Sequence, residues 1–208
     1  MAEFYNSNSN LKAAGVKVDF TPEQIQEYVK CSQDYIYFIE NYCSIVTLDH
    51  GLQLFKLYDC QKRKLKIIHE NRKVILMEGR QQGKTQTSAA YILWYTNFYE
   101  ANNVAILANK ASAAREVMTR YQMMFELLPH WLQQGVVTWN KGNVELENGS
   151  KIIAASTSSS AIRGGSFNIV FLDEFAFVPN NIAHEFFNSV YPVISSGKKT
   201  KIIIVSTP

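Results

Sequence analysis

The feature that most constrains the fold is a short loop between a predicted strand and a predicted helix. Residues 73–77 are apolar after the first lysine and are bounded by turn-forming residues, which predicts a buried parallel strand. Residues 85–99 have a helical pattern, and the loop in between reads Glu78-Gly79-Arg80-Gln81-Gln82-Gly83-Lys84-Thr85. A strand, a loop ending in Gly-Lys-Thr and a helix together predict the phosphate-binding loop of a P-loop NTPase.

The residue types in this loop suit phosphate binding. Gly83 lets backbone amides converge on phosphate oxygens, and the following helix presents unpaired N–H groups and the positive end of its dipole. Lys84 would place a charge beside the β- and γ-phosphates, and the Thr85 hydroxyl would bind Mg²⁺. Glu78 departs from the common pattern, which has glycine there. The other loop residues predicted to bind the nucleotide are Arg80, Gln81 and Gln82.

A second motif ends another apolar strand. Ile169–Leu172 is followed directly by Asp173 and Glu174, which is the Walker B arrangement. Asp173 would hold Mg²⁺, and Glu174 would polarise an attacking water, a contribution of about 10²–10⁴ in rate. An acidic pair can simply mark a solvated strand end, but beside a P-loop it favours an enzyme that hydrolyses ATP with Mg²⁺.

Two further candidate sites are weaker. Ser206-Thr207-Pro208 follows the apolar residues 201–205, so its hydroxyl groups would lie at the nucleotide edge of the sheet and could sense the γ-phosphate. Gln61 lies upstream of the P-loop, where its amide could read the adenine ring. On residue chemistry alone, a simple strand-to-turn transition and an exposed helical glutamine stay open for these positions.

The spacing of apolar segments predicts the fold class. Four buried strands are expected at 73–77, 104–108, 168–172 and 201–205, separated by helices. This pattern predicts an α/β fold with a mostly parallel sheet flanked by helices, of the ASCE/RecA-like type of P-loop NTPase. An antiparallel β-meander insertion is predicted within residues 136–155, which contain turn signals at Asn140-Lys141-Gly142 and Asn148-Gly149.

A helical N-terminal segment, residues 1–53, is predicted to precede an ATPase core at residues 54–208. Thr21-Pro22-Glu23 has the residues of a helix start, with threonine as N-cap and proline in the first turn. One continuous helix from there to about Tyr42 is expected. A second helix is expected before the P-loop strand, between residues 54 and 71.

Composition narrows the class of protein. The 208 residues are 47% hydrophobic and 19% charged, which is typical of a globular protein. The longest apolar run, residues 89–95, is far below the roughly 18 residues that a membrane span needs, and the polar N-terminus is not a signal peptide. Three cysteines without metal-binding spacing predict free thiols in a reducing compartment. Membrane, secreted and zinc-module classes are therefore excluded.

Taken in order along the chain, these motifs resemble the ATPase domain of the large terminase subunit of tailed bacteriophages, in particular the large contractile-tailed phages. The resemblance covers roughly residue 54 onward. The segments that carry it are Arg80–Thr85, Leu172–Pro179, Pro192–Gly197 and Ser206–Pro208, with further similarity at Leu127–Pro129, Trp139–Gly142 and Arg163–Phe167.

The resemblance implies a motor that uses ATP to thread double-stranded DNA into a procapsid. Arg80 matches a P-loop arginine implicated in γ-phosphate contact, Glu174 the catalytic carboxylate, and Gln61 the glutamine of the adenine motif. Ser206-Thr207-Pro208 matches the motif that couples hydrolysis to movement. Arg163 is similar to an arginine that some terminases insert into a neighbour's site, where such a residue is worth about 10³–10⁵ in rate.

The same resemblance implies partners and a location. The expected partners are the portal protein of the procapsid, the small terminase subunit and further copies of the chain in a ring on the portal, within the cytoplasm of the infected bacterial host. The family's metal-dependent nuclease domain carries a cluster of carboxylates. No acidic residue follows Glu185, so this domain is not expected in the sequence. The ATPase core is expected to be incomplete at its C-terminal end.

Two other functions stay open. A helicase with two RecA-like domains also places a glutamine motif before its P-loop, although Phe175-Ala176 after the acidic pair differs from the Ala-Asp of one large helicase group. The other alternative is a nucleotide-binding assembly module that does not hydrolyse ATP.

Overall fold

The computed structural model of the chain describes residues 3–158 and 165–208. These residues contain a two-stranded hairpin and a seven-stranded sheet. The hairpin consists of β1 (Ser44–Thr47) and β2 (Gly51–Leu54). The strands of the larger sheet are β3 (Lys73–Met77), β4 (Asn103–Ala108), β5 (Val136–Asn140), β6 (Asn143–Leu146), β7 (Lys151–Ser156), β8 (Ile169–Asp173) and β9 (Lys201–Ser206). The helices are α1 (Pro22–Gln33), α2 (Tyr35–Tyr42), α3 (Asp59–Glu70), α4 (Lys84–Phe98), α5 (Ala111–Glu126) and α6 (Asn180–Ser196).

The sheet has the spatial order β3-β9-β8-β4-β7-β6-β5. Each pair from β3 to β7 is parallel, whereas β7, β6 and β5 pair antiparallel. The predicted α/β fold and its antiparallel meander are therefore confirmed. The meander is not a separate insertion, because β7 lies in parallel register with β4, with Asn103 opposite Lys151.

Helices cover both faces of the sheet, because alternate residues of the central strands enter two different apolar clusters. On β4, Val104 and Ile106 belong to the cluster that contains the buried side chains of α4 and α5. Ala105 and Leu107 belong to the cluster that contains Phe186 of α6, a helix that the sequence analysis did not anticipate. This two-sided burial explains why residues 104–108 of β4 and 169–172 of β8 are all apolar.

The strand that leads into the P-loop is not buried as predicted. Along one side β3 pairs with β9, and it has no strand partner on the other side among the described residues. Val74 is buried, but Ile75 is 75% exposed and Met77 is 70% exposed. Ile75 and Met77 lie on the same face of β3, because alternate residues of a strand point to opposite faces. The prediction was wrong because an apolar run does not show whether both faces of a strand are covered.

The single long helix predicted near the N-terminus is two helices. Thr21 begins α1 with a capping box, in which its Oγ1 accepts from the Gln24 amide at 3.2 Å and the Gln24 side chain bonds the Thr21 amide at 3.0 Å. Asp34 has an extended backbone, with φ −128°, and its Oδ1 accepts from the amide of Tyr37 at 2.9 Å. Asp34 therefore ends α1 and caps α2, which a pattern of apolar spacing does not reveal.

The hairpin β1–β2 and the start of α3 also differ from expectation. In the N-terminal segment only helices are predicted, but the hairpin follows α2 there, and Leu54 belongs to β2 and not to the next helix. The helix α3 begins only at Asp59, where Tyr58 is its N-cap. The hairpin lies beside the P-loop, so this difference affects the functional site described below.

A buried lysine joins the end of β9 to the end of α3. The Lys201 Nζ donates to three backbone oxygens, at 3.0 Å to Ile68, 2.7 Å to His69 and 3.0 Å to Asn71. Burial lowers the pKa of Lys201. The ammonium group satisfies carbonyls that the last turn of a helix leaves without partners.

Replacing Lys201 by methionine should destabilise the fold, since the three carbonyl oxygens would lose their donor inside the protein. We expect the free energy of unfolding to fall by about 2 kcal/mol, measured by urea denaturation. The control is Lys199→Met, which removes the same charge at an exposed position. Equal stability of the two variants would contradict this role for Lys201.

The lengths of the helices and the state of the cysteines bear on the predictions made from composition. None of the helices in the described ranges is long and apolar enough to cross a membrane. The three cysteines are free thiols, with Cys31 and Cys43 buried and Cys60 exposed, and burial raises the pKa of Cys31 to about 12.

Candidate nucleotide-binding site

The P-loop lies between β3 and α4, and its backbone requires glycine at Gly83. This residue has φ +72°, and a Cβ atom there would lie 2.6 Å from Nε2 of Gln61. Gly83 is also the N-cap of α4 and offers no side-chain hydrogen bond to the first turn. The amide groups that begin α4 are consequently available to phosphate oxygens, as the sequence predicts.

Gln61 supports the P-loop from α3. Its Oε1 accepts from the Tyr58 amide at 3.0 Å, and its Nε2 donates to the Gln82 carbonyl at 3.1 Å. The side chain is almost fully buried. Reading of the adenine ring by Gln61 stays a prediction, and these two bonds use only one of the two N–H donors and one of the two acceptor lone pairs of its amide.

The P-loop lysine is bonded to the predicted catalytic carboxylate. Lys84 Nζ lies 2.5 Å from Oε1 of Glu174, and the lysine is largely buried. Burial acts to raise the pKa of Glu174, but hydrogen bonds from Lys84 and Thr207 outweigh it, so the pKa of Glu174 is lowered. Glu174 is therefore ionised at neutral pH.

The tip of β9 holds the other oxygen of the same carboxylate. Glu174 Oε2 accepts from the Thr207 amide at 3.1 Å and from the Thr207 hydroxyl at 2.9 Å. The Ser206 hydroxyl accepts from the amide of Ala176 at 3.2 Å. Of the three residues predicted to couple hydrolysis to movement, Ser206 and Thr207 thus contact the segment after β8, while Pro208 is exposed.

The backbone of Glu174 is in an unusual conformation. Its φ is +50° and its ψ is +43°, which is the left-handed region that residues other than glycine rarely adopt. Such strain persists only where surrounding contacts enforce it, and it is concentrated at functional sites. Here the bonds from Lys84 and Thr207 hold the side chain in place.

Asp173 and Thr85 have the chemistry of a magnesium site. The Thr85 hydroxyl lies 3.4 Å from Oδ2 of Asp173, and Oδ1 of Asp173 is buried without a hydrogen-bond partner. Burial raises the pKa of Asp173, with the charge of Glu174 adding to the effect. A buried carboxylate oxygen without a partner, beside a hydroxyl group, fits a hard cation that takes its remaining ligands from phosphate and water.

Glu78, the residue that departs from the usual P-loop pattern, is an anchor between the loop and α3. Its two carboxylate oxygens lie 3.2 and 3.3 Å from Nζ of Lys64, and the same ammonium group donates to the Lys84 carbonyl at 3.1 Å. Lys64 is almost fully buried, and burial lowers its pKa although Glu78 opposes this. The sequence shows that Glu78 replaces the usual glycine, but no local motif reveals Lys64 as its partner.

An open cavity of about 630 Å³ brings most of the predicted residues together. Its lining includes Arg80, Gln81, Gly83, Lys84, Thr85, Glu174 and Thr207. Arg80 is exposed at this cavity, whereas Gln82 and Asp173 do not line it. Arg163, predicted to act on a neighbouring subunit, lies outside the described residues.

The sequence matches the family described as "Terminase large subunit, T4likevirus-type, N-terminal" over residues 75–208, which is well over half of the chain. The chain belongs to the large terminase family. The match begins within the P-loop strand β3 and includes the P-loop, the acidic residues Asp173 and Glu174 at the end of β8, and Ser206–Pro208 at the end of β9. The resemblance seen in the motifs is thereby confirmed.

Solved terminase structures share the fold. The large terminase of bacteriophage HK97 superposes with a TM-score of 0.69 at 20% identity, covering 84% of this chain and 37% of the other. The ATPase domain of the Thermus phage P74-26 large terminase gives 0.56 at 20% identity, covering 74% and 66%. A large terminase from a thermophilic bacteriophage, in complex with ATP-γ-S, gives 0.54 at 15% identity, covering 73% and 38%. The chain thus spans only part of each of these terminases.

Several residues at the site of this terminase domain were not found from the sequence. Arg120 of α5 and Gln86 of α4 line the P-loop cavity, and they also line a second cleft, of about 440 Å³, beside the hairpin β1–β2. That cleft includes Tyr58, which is 74% exposed. These residues belong to no local motif, so only the fold brings them together.

Breaking the anchor between Lys64 and Glu78 should loosen the terminase P-loop. Lys64→Met or Glu78→Gln leaves a buried or half-buried charge without its partner, and we expect each to lower the free energy of unfolding by about 3 kcal/mol. The double variant should lose clearly less than the sum of the two. Denaturant unfolding of all three variants gives the coupling energy.

The control for this cycle is the exposed pair Lys66 and Glu70 on the same helix, whose charged atoms lie 3.9 Å apart. Its coupling energy should be below about 1 kcal/mol. Strict additivity at Lys64 and Glu78 would contradict the anchor.

Proposed function

We propose that the chain is the ATPase part of a large terminase subunit and hydrolyses ATP with Mg²⁺ to move double-stranded DNA into a procapsid. The observation that most directly supports hydrolysis is the bond between Lys84 and Glu174 inside the P-loop cavity. It holds a phosphate-binding cation and a candidate general base at one place, beside the carboxylate of Asp173.

The binding step follows from the charges of the cavity. The phosphate oxygens would accept hydrogen bonds from the ammonium group of Lys84 and from the first amides of α4. Arg80, at the cavity wall, would add a further positive charge. Thr85 and Asp173 would hold Mg²⁺, which neutralises phosphate charge when it is bound. Gln81, Gln82 and Gly83 supply the remaining loop backbone.

Binding of phosphate would free the base. Once Lys84 pairs with phosphate, Oε1 of Glu174 can accept a proton from a water molecule, while Oε2 stays bonded to Thr207. Because Thr207 lies at the tip of β9, a change in the charge of Glu174 alters a bond to that strand. In this proposal Ser206-Thr207-Pro208 is the segment through which hydrolysis affects the rest of the motor.

Substitution of Glu174 by glutamine tests this assignment. We expect phosphate release to fall by at least about 100-fold, because the amide cannot accept the proton, while ATP binding is kept. Phosphate release and equilibrium ATP binding should both be measured. The control is Glu116→Gln on the exposed face of α5. Unchanged turnover in Glu174→Gln would contradict the role of Glu174 as general base. If the unmodified chain binds ATP tightly but releases no phosphate, the non-hydrolysing assembly module is favoured.

The proposed motor role extends to partners. Family membership supports double-stranded DNA, the portal of the procapsid, the small terminase subunit and a ring of identical chains as partners, in the cytoplasm of the infected bacterial host. In such a ring Arg163 would enter the site of the neighbouring subunit.

The motor role and the helicase alternative differ in what stimulates the protein. We expect phosphate release to increase when duplex DNA and procapsids are both added, because the substrate of a packaging motor is intact duplex at a portal. The measurement is phosphate release with each component alone and with both. Separation of the strands of a tailed duplex without procapsids would instead favour a helicase.

A further inference from the structure

The P-loop cavity adjoins a second cleft beside the hairpin β1–β2. The two spaces share part of their lining, namely Gln81, Gly83, Gln86 and Arg120. Glu174, Lys84 and Thr207 line only the P-loop cavity. The four residues shared by the cavity and the cleft therefore lie on the side of the P-loop cavity away from Glu174, the proposed base.

Arg120 is held at this border by a side chain of the P-loop helix. Its Nη1 donates to Oε1 of Gln86 at 3.2 Å, and the Gln86 amide nitrogen contacts Sδ of Met124 at 3.4 Å. Gln86 is thus fixed at both ends of its amide, within the first turn of α4. A guanidinium group has five N–H donors, of which the bond to Gln86 uses one.

The position of Gln86 along α4 indicates which phosphate lies nearest. P-loop amides hold the α- and β-phosphates, and the lysine reaches the β- and γ-phosphates. Gln86 lies two residues after Lys84, on the side of the cavity that leads away from Glu174 and toward the hairpin cleft. A nucleotide with its γ-phosphate near Glu174 and its nucleoside in the cleft would pass its α-phosphate beside Arg120.

We propose that Arg120 binds the α-phosphate of the nucleotide in the same chain, and that Gln86 positions it. This inference rests on the nucleotide binding proposed above, and it adds a cation from α5 to those of the P-loop. ATP and ADP both carry an α-phosphate, so the proposed contact of Arg120 serves nucleotide binding and does not depend on the γ-phosphate. Arg120 would therefore contribute equally to the affinities for both nucleotides.

The test is equilibrium binding of ATP and of ADP to the chain carrying Arg120→Ala. We expect both affinities to weaken by on the order of tenfold, as for the loss of a charge-assisted hydrogen bond. Arg120→Lys should recover part of the loss, because lysine keeps the charge and lacks the planar fork. Gln86→Ala should weaken both affinities by less than Arg120→Ala does.

The matched control is Arg115→Ala, which removes an exposed arginine from the same helix outside both clefts. It should bind both nucleotides as the unmodified chain does, and equal thermal unfolding midpoints of the two variants show that both are folded. Unchanged binding by Arg120→Ala would overturn the proposal. So would a loss confined to ATP, which places the contact at the γ-phosphate, or an equal loss in Arg115→Ala.

Because binding and not turnover is measured, the two proposals can fail separately. A chain that binds ADP but does not hydrolyse ATP contradicts the proposed hydrolysis, and the comparison of Arg120 with Arg115 still decides the role of Arg120. An unmodified chain that binds neither nucleotide overturns both proposals.

Discussion

The ion pair between Lys84 and Glu174 is the contact on which the arrangement of the site depends. Lys84 begins the helix after β3, and Glu174 directly follows β8, so a single bond of 2.5 Å joins the two motifs across the edge of the sheet. Thr207 attaches the tip of β9 to the same carboxylate. Three strand ends thus meet at one side chain, whose left-handed backbone is kept in place by these bonds.

The order of the strands gives β9 a special position. It lies between β3 and β8, so it is the neighbour of both strands that carry the phosphate-binding and acidic motifs. Its first residue, Lys201, closes the carbonyl end of α3, the helix whose Gln61 and Lys64 support the P-loop. Contacts at both ends of one strand therefore fix the geometry of the loop.

Local chemistry is what the sequence could predict. Gly83 and Lys84 form one contiguous motif and the acidic residues at the end of β8 form another, and the central strands are apolar over most of their length. The α/β fold therefore follows from the sequence, as does the expectation that these motifs lie near one another. The break at Asp34 was missed because it depends on a single capping bond. The pair of Arg120 with Gln86 was missed because only the folded chain brings these residues together.

Within the described residues one edge of β3 is open, and this has a consequence for handling the protein. A strand with one neighbour presents unpaired backbone groups in the direction where a second neighbour would add. Ile75 and Met77 add exposed apolar side chains on the sheet face next to this edge, and the strand leads directly into the P-loop. Any strand that joins there, from this polypeptide or another, would complete the hydrogen bonding of β3 and stiffen the base of the nucleotide site. Without such cover, we expect this edge to promote self-association of the chain at high concentration.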